Sequence, residues 1–337
     1  MFYLGVDVSK AKLDCCLLKE GTPEKRKSKV VANSVSGVAD LLRWLSKQGA
    51  QADQTHALLE GTGVYHETSA TALHDSGVSV SILNPAQVRD FGKGLGLRTK
   101  TDAVDSWLLA RFGLLQQPAP WQPPPAHVRQ LRALLARRQA LLEDLQREHN
   151  RQEKAQATET PQRIHQSLQE SIAFLERQLA QLQKDIDHHI DKHPDLKQDL
   201  NLLQSIPAVG PQVGSHLLCV MRSSSFRCAE QLAAYLGVVP VERQSGTSVL
   251  GRARLSKAGP ARIRALLYMS AVVGIRYNRH VKALYERLLA KGKCKMAALG
   301  AAMRKIVHLC FGVLKNRAPY RENFVPNASG VFRPERT

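Results

Sequence analysis

Short apolar runs alternate with amphipathic stretches through the first ~115 residues, and the two periods set the expected elements. Phe2–Val8 (FYLGVDV) is apolar apart from one acid and predicts a buried strand. Lys12–Leu18 continues as a second strand, and Lys29–Ala32 is a candidate third. Val38–Gln48 turns Leu41, Leu42 and Leu45 to one helical face. A strand at His56–Glu60, a helix at His66–Asp75 and a strand at Val78–Leu83 follow. Asn84-Pro85 opens a new segment, and Asp102–Leu115 is the last helix of this part. By pattern alone this is α/β with a mixed sheet.

Gln116–Pro125 (QQPAPWQPPP) cannot continue a helix and predicts a domain boundary. Beyond it Val128, Leu131, Leu135, Leu142 and Leu145 keep roughly heptad spacing. Gln156–Pro161 interrupts, and the pattern resumes at Leu168, Ile172, Leu175, Leu179, Leu182 and Ile186. Their 4-3-4-3-4 spacing is a coiled-coil seam, so two long helices form an antiparallel hairpin or a dimerisation stalk. From Leu202 onward the chain reads as mostly helical. There SIPAVGPQVG (Ser205–Gly214) resembles a helix-hairpin-helix turn presenting backbone N–H groups to phosphate, or is an ordinary Gly/Pro connection. The expected division is 1–117, 126–194, 200–325 and a tail, 326–337.

Charge changes this picture more than any other bulk property. Lys plus Arg outnumber Asp plus Glu 48 to 29, giving +19. Residues 201–337 hold 22 Lys/Arg against 5 Glu, and the last Asp of the chain is Asp199. About +17 therefore sits in the C-terminal portion, which fits a polyanionic partner such as nucleic acid. Six cysteines form no CxxC pair and no Cys/His cluster with zinc spacing, so they read as reduced thiols. No apolar run reaches membrane-spanning length in this reading, so the expectation is a cytoplasmic protein of the bacterial cytosol or nucleoid with no membrane partner.

Four carboxylates carry the candidate chemistry of the first region. Asp7 lies inside an apolar strand and needs a partner to offset its desolvation, for which Lys10 is a candidate. Glu60 ends a strand before Gly61-Thr62-Gly63. Asp102 and Asp105, three apart, share one side of a helix, where like charges repel unless a cation lies between them. The alternative for that pair is helix capping by Thr101 or Asp102 with acids in the first turn. Taken together the four suit Mg²⁺ and phosphodiester chemistry.

A second constellation runs Arg243-Gln244-Ser245-Gly246-Thr247-Ser248, then Gly251-Arg252-Ala253-Arg254-Leu255-Ser256-Lys257. Ser245 beside Gly sits on backbone that can approach a phosphate closely. Arg243, Arg252, Arg254 and Lys257 are candidate phosphate contacts; the last three could neutralise a pentacoordinate transition state. No His/Asp pair flanks the serine, which disfavours an acyl-transfer triad. A polar turn with scattered basic residues is the plain alternative.

GVDVSK, LLEGTGVYHE, ILNPAQV, GLRTKTDAVDSWLLA, IPAVGP, the block from LAAYLGVVP through RQSGTSVLGRARLSKAGPARIRALLY, and AALGAAMRKIVHLCFGVLK together resemble the insertion-sequence-110 family of transposases. These are the Piv/MooV-like, bridge-RNA-guided DNA recombinases. The resemblance spans nearly the whole chain. It implies a RuvC-like ribonuclease H-fold domain with Asp7, Glu60, Asp102 and Asp105 on Mg²⁺, and a helical transposase domain supplying Ser245 as nucleophile. It further implies dimers assembling to a synaptic tetramer with composite active sites, donor and target double-stranded DNA, and a structured bridge RNA. Two other functions remain open at this stage. One is a RuvC-like metal-dependent endonuclease with water as nucleophile, and the other is a non-catalytic nucleic-acid architectural protein.

Overall fold

A computed structural model describes residues 1–61, 63, 65–97, 99, 101–245 and 249–323. It divides into two compact units, Met1–Pro123 and Pro124–Thr337, parted within the proline-rich stretch.

The first unit is a five-stranded sheet, β1 (Phe2–Val8), β2 (Lys12–Lys19), β3 (Thr22–Ala32), β4 (Thr55–Glu60) and β5 (Ser79–Leu83), in the order β3-β2-β1-β4-β5. β1, β2 and β3 pair antiparallel, whereas β4 lies parallel to β1 and β5 parallel to β4. The sheet is thus mixed, as the pattern of the sequence implies, with three meandering strands ahead of two strand–helix units. β3 is much longer than the expected Lys29–Ala32: Ser28 and Lys27 continue the pairing with β2, and after a shift in register Thr22 pairs with Lys19.

Strand alternation sorts the core into two layers. Leu4, Val6, Leu13, Cys15, Leu17, Ala57 and Leu59 point to one face, under α1 (Val35–Lys47) and α2 (His66–Asp75). The opposite face takes Tyr3 and Leu58, packed with Leu108 and Leu109 of α4 (Asp102–Gln116) and Val88 of α3 (Pro85–Gly94). Cys16 and Leu18 meet Ala110 of α4 on that same side. α3, a helix where only a new segment was expected, is N-capped by Asn84, whose side chain accepts from the Ala86 N–H, with Pro85 in its first turn. Gly5 lets α4 lie directly on the sheet, since a Cβ there would fall 1.9 Å from the Ser106 carbonyl oxygen. After α4 the chain runs back along β5. The Trp121 N–H donates to the Val80 carbonyl at 2.6 Å, and the Ser81 hydroxyl donates to the Ala119 carbonyl at 2.8 Å.

The second unit begins with two long helices, α5 (Ala126–Gln156) and α6 (Gln162–Asp191), which pack on one another. On α5 the stripe buries Leu141 rather than Leu142, one position from the expected seam. Val128, Leu131, Leu135, Ile186 and Ile190 at their base join a core shared with α7 (Pro194–Gln204), α8 (Pro211–Ser223), α9 (Ala229–Tyr235), α10 (Ala261–Tyr277), α11 (Arg279–Ala290) and α12 (Lys295–Asn316). Carbonyls of the Ser205–Gly210 connection face inward: Ser270 Oγ donates to Ala208 at 2.6 Å and Asn278 Nδ2 to Pro207 at 3.3 Å. Asp199, 2% exposed, is neutralised by Arg222 Nη2 at 2.6 Å and by Arg317. α12 corrects one expectation, since by length and composition it could cross a membrane. More than half of its apolar window is buried within the unit, as suits a core helix. A two-stranded antiparallel hairpin, β6 (Pro240–Ser245) and β7 (Val249–Leu255), also interrupts the helical pattern.

Candidate functional site

Register and alternation bring the acids of the first unit together. Asp7 pairs across the β1–β2 ladder with Asp14, so both carboxylates leave the sheet on the α4 side. Glu60, next after Leu59 on the parallel neighbour β4, has the same parity as Leu58 and shares that side. α4 then starts beside them. Thr101 caps it, its hydroxyl accepting from the Val104 N–H at 3.3 Å, and Asp102 and Asp105 occupy the first turn. Capping and site formation are thus compatible outcomes of one sequence, TDAVD. The helix N-terminus directs its positive dipole end toward the acids.

The electrostatics follow from this crowding. Asp7 is pushed up to about 6, first by burial and then by Asp105, Asp102, Asp14 and Glu60. All four acids singled out in the sequence therefore act on one locus. Ligand oxygens of Asp7, Asp14 and Asp102 lie within 4.8 Å of one another. A hard cation taking oxygens at 2.0–2.6 Å would need only small side-chain rotations to reach them. The donor set is carboxylate throughout, which suits Mg²⁺ or another oxygen-seeking divalent ion rather than a soft metal.

Two participants escaped the sequence reading. Asp14 is buried at 9% exposure, and its signal was an acid inside the second apolar strand, directly opposite Asp7. Lys12 is the other. Its Nζ lies 2.7 Å from Asp102 Oδ2 and 3.0 Å from Asp14 Oδ2, and these bonds raise the lysine well above its usual range. They also hold Asp102 below the ordinary carboxylate value. Asp14 Oδ2 is a buried oxygen that the ammonium approaches without hydrogen-bond alignment. The cation placed among these acids is thus Lys12; the described ion pairs do not give that position to Lys10.

Ser245 is the last residue of β6, paired in register with Val249. Gly246, Thr247 and Ser248 lie outside the described residues, as do the side chains of Arg243, Ser245 and Arg252. Arg254 is exposed on β7 opposite Val241, and Lys257 is exposed just beyond. The foot of the hairpin is closely held. The Ser256 N–H donates to Val239 at 2.9 Å and the Lys257 N–H to Gly237 at 3.2 Å. Lys257 takes a left-handed φ of 54°, and a Cβ at Gly259 would fall 1.9 Å from the Tyr235 carbonyl oxygen.

A sheet with a face of clustered acids, joined in one chain to a strongly basic helical unit with a polar ribbon, defines a class of nucleic-acid-processing proteins. Comparison with known proteins narrows that class. A family model for insertion-sequence-110 DEDD transposases matches residues 4–161, and one described as "Transposase IS116/IS110/IS902 family" matches residues 200–286. The pilin gene-inverting protein of Moraxella lacunata is 30% identical over 94% of this chain and 97% of its own length. An uncharacterised 43.6 kDa protein of insertion element IS110 from Streptomyces coelicolor is 27% identical over 46% of this chain and 37% of its own. Among solved structures, Thermus thermophilus RuvC with a Holliday junction aligns at 17% identity and a TM-score of 0.25 over 34% of this chain and 97% of that one. That last likeness is too low to carry weight beside the strand order itself. The chain belongs to the IS110 family of transposases, and membership makes it a DNA-modifying enzyme.

Proposed function

We propose that this transposase is a site-specific recombinase that cuts and rejoins donor and target DNA through a covalent phosphoserine link. The observation that carries the reading is the acidic cluster of the first unit, where ligand oxygens of Asp7, Asp14 and Asp102 lie within 4.8 Å of one another and Asp105 and Glu60 add to the charge around Asp7. In this reading Asp7, Glu60, Asp102 and Asp105 hold Mg²⁺, which when bound supplies Lewis-acid stabilisation of charge on the reacting phosphate. Ser245 Oγ attacks phosphorus. A P–O bond to the serine forms, the bond to the departing deoxyribose oxygen breaks, and that oxygen takes up a proton as the hydroxyl loses its own. Reversal on a new partner strand rejoins the DNA without an external energy source, in keeping with the absence of a GxxxxGK[ST] segment. Arg243, Arg252, Arg254 and Lys257 neutralise phosphate charge around the serine.

The gene-inverting activity named for the Moraxella relative is the same kind of break-and-rejoin chemistry and supports the proposal. The domain limits 1–117, 126–194, 200–325 and 326–337 belong to it. So do the paired long helices as a coiled coil joining protomers, and a dimer-to-tetramer assembly in which one protomer's acids meet another's serine. A structured bridge RNA would select both DNAs by base pairing, leaving backbone and shape contacts to the protein.

A suicide substrate nicked near the cleavage point, incubated with the protein, Mg²⁺ and a transcript of the DNA flanking the gene, tests the reading. The expected product is a protein–DNA adduct that Ser245→Ala abolishes. Free cleaved ends with Ser245→Ala still active would instead establish a metal-dependent endonuclease. DNA binding without scission would leave an architectural role.

A further inference from the structure

The acids around Asp7 already hold a cation that belongs to the chain. We propose that Lys12 is a tethered stand-in for the metal: it occupies the cation position between Asp14 and Asp102 at rest, and metal entry drives it out to a phosphate of the bound DNA. The inference rests on the metal reading of the cluster given above.

Geometry makes ammonium and metal exclusive. Lys12 Nζ contacts Asp102 Oδ2 at 2.7 Å and Asp14 at 3.0 and 3.4 Å, while the ligand oxygens of Asp7, Asp14 and Asp102 span no more than 4.8 Å. Both cations would use the same oxygens. Sharing them would bring a unit positive charge within about 4 Å of a doubly charged ion, which is strongly repulsive where water is partly excluded. The lysine is also suited to leave. Its side chain is 45% exposed, its stem is flexible, and its hydrogen bond to Asp14 is a long one, 3.4 Å to Oδ1. A fixed structural pair looks different here: Asp199 is 2% exposed and gripped by two guanidinium groups.

Once displaced, Lys12 stays anchored at the start of β2 beside the cluster, where the phosphate brought to the acids is the natural anion to receive it. Metal and DNA then favour each other's binding by linkage: a phosphate that holds Lys12 outward removes the metal's competitor, and the metal frees a cation for the phosphate.

Calorimetric titration of the full chain with Mg²⁺ tests this without any need for activity. Wild type, Lys12→Met and Lys12→Arg are compared, each checked for folding by circular dichroism. Met keeps the apolar stem and removes the charge, so Lys12→Met should bind Mg²⁺ about tenfold more tightly, the scale of one charge-assisted hydrogen bond. Arg keeps the charge and should bind no more tightly than wild type. Non-specific duplex DNA should tighten Mg²⁺ binding to wild type and leave Lys12→Met unchanged. Equal or weaker binding by Lys12→Met, with a titration signal that Asp7→Asn removes, overturns the stand-in role and leaves the metal reading intact. A wild-type signal that Asp7→Asn does not alter, or no signal at all, overturns the metal reading and the stand-in with it.

Discussion

Asp7 and Asp199 are both acids withdrawn from water, one in each unit, and their surroundings are opposite. Asp199 is buried and met by Arg222 and Arg317, so its charge is neutralised by residues of its own unit. Asp7 is half-buried and faced by four further carboxylates, which push it up to about 6. The first arrangement stabilises a fold. The second works against it, since concentrated like charge costs free energy, and the single ammonium of Lys12 offsets only part of it. Local electrostatic frustration at a defined point of an otherwise well-packed sheet is what a site kept for a ligand looks like.

Substitutions can break this comparison. The largest effect is expected at Asp7→Asn, which should lower recombination by about a thousandfold or more, on the scale of losing a principal electrostatic stabiliser. The same change should leave the thermal stability of the metal-free protein equal or higher, because it removes a repelled charge. A clear loss of stability in a denaturation scan would show Asp7 to be structural and erase the distinction. At Asp199→Ala the reverse is expected, a loss of about 3 kcal/mol from stranding two arginines. Urea denaturation measures it, and a loss below about 1 kcal/mol would sink the structural assignment.

Acidity offers a finer probe of the same contrast. A carboxyl raised in the folded state binds its proton more tightly there than in the unfolded chain. Stability contributed by Asp7 in metal-free protein is therefore greatest at low pH. It falls as pH rises from the ordinary value of 3.8 to about 6, and is flat above that. Saturating Mg²⁺ should reverse the slope in this window, and Asp7→Asn should remove Asp7's part of it. Melting temperatures taken between pH 4 and 7, with and without Mg²⁺, show either the slope or its absence.

Much of this was legible in the sequence, for identifiable reasons. Apolar runs of strand length and a capped helix start at Thr101 are strong local signals, and the elements bearing Asp7, Glu60, Asp102 and Asp105 lie within a residue or two of where they were expected. Asp14 and Lys12 were missed because their importance depends on hairpin register. Only when Asp7 is paired with Asp14 do these two side chains fall on the α4 face. β3 was shortened because an edge strand need bury little, so KRKSK carries no apolar alternation to betray it. The β6–β7 ribbon was hidden because its residues, polar and basic, read equally well as a turn.

The return of the proline-rich stretch along β5 has a consequence for the chain's behaviour in a crowded cell. A five-stranded sheet that is not closed into a barrel has two open margins, each able to recruit another strand. On the β3 side the margin bristles with Lys25, Arg26, Lys27 and Lys29, so a second copy would meet like charge. On the β5 side Trp121 and Ser81 tie down a strap whose prolines cannot donate a ladder hydrogen bond. Neither margin of the sheet is thus left free to zip onto the sheet of a second copy.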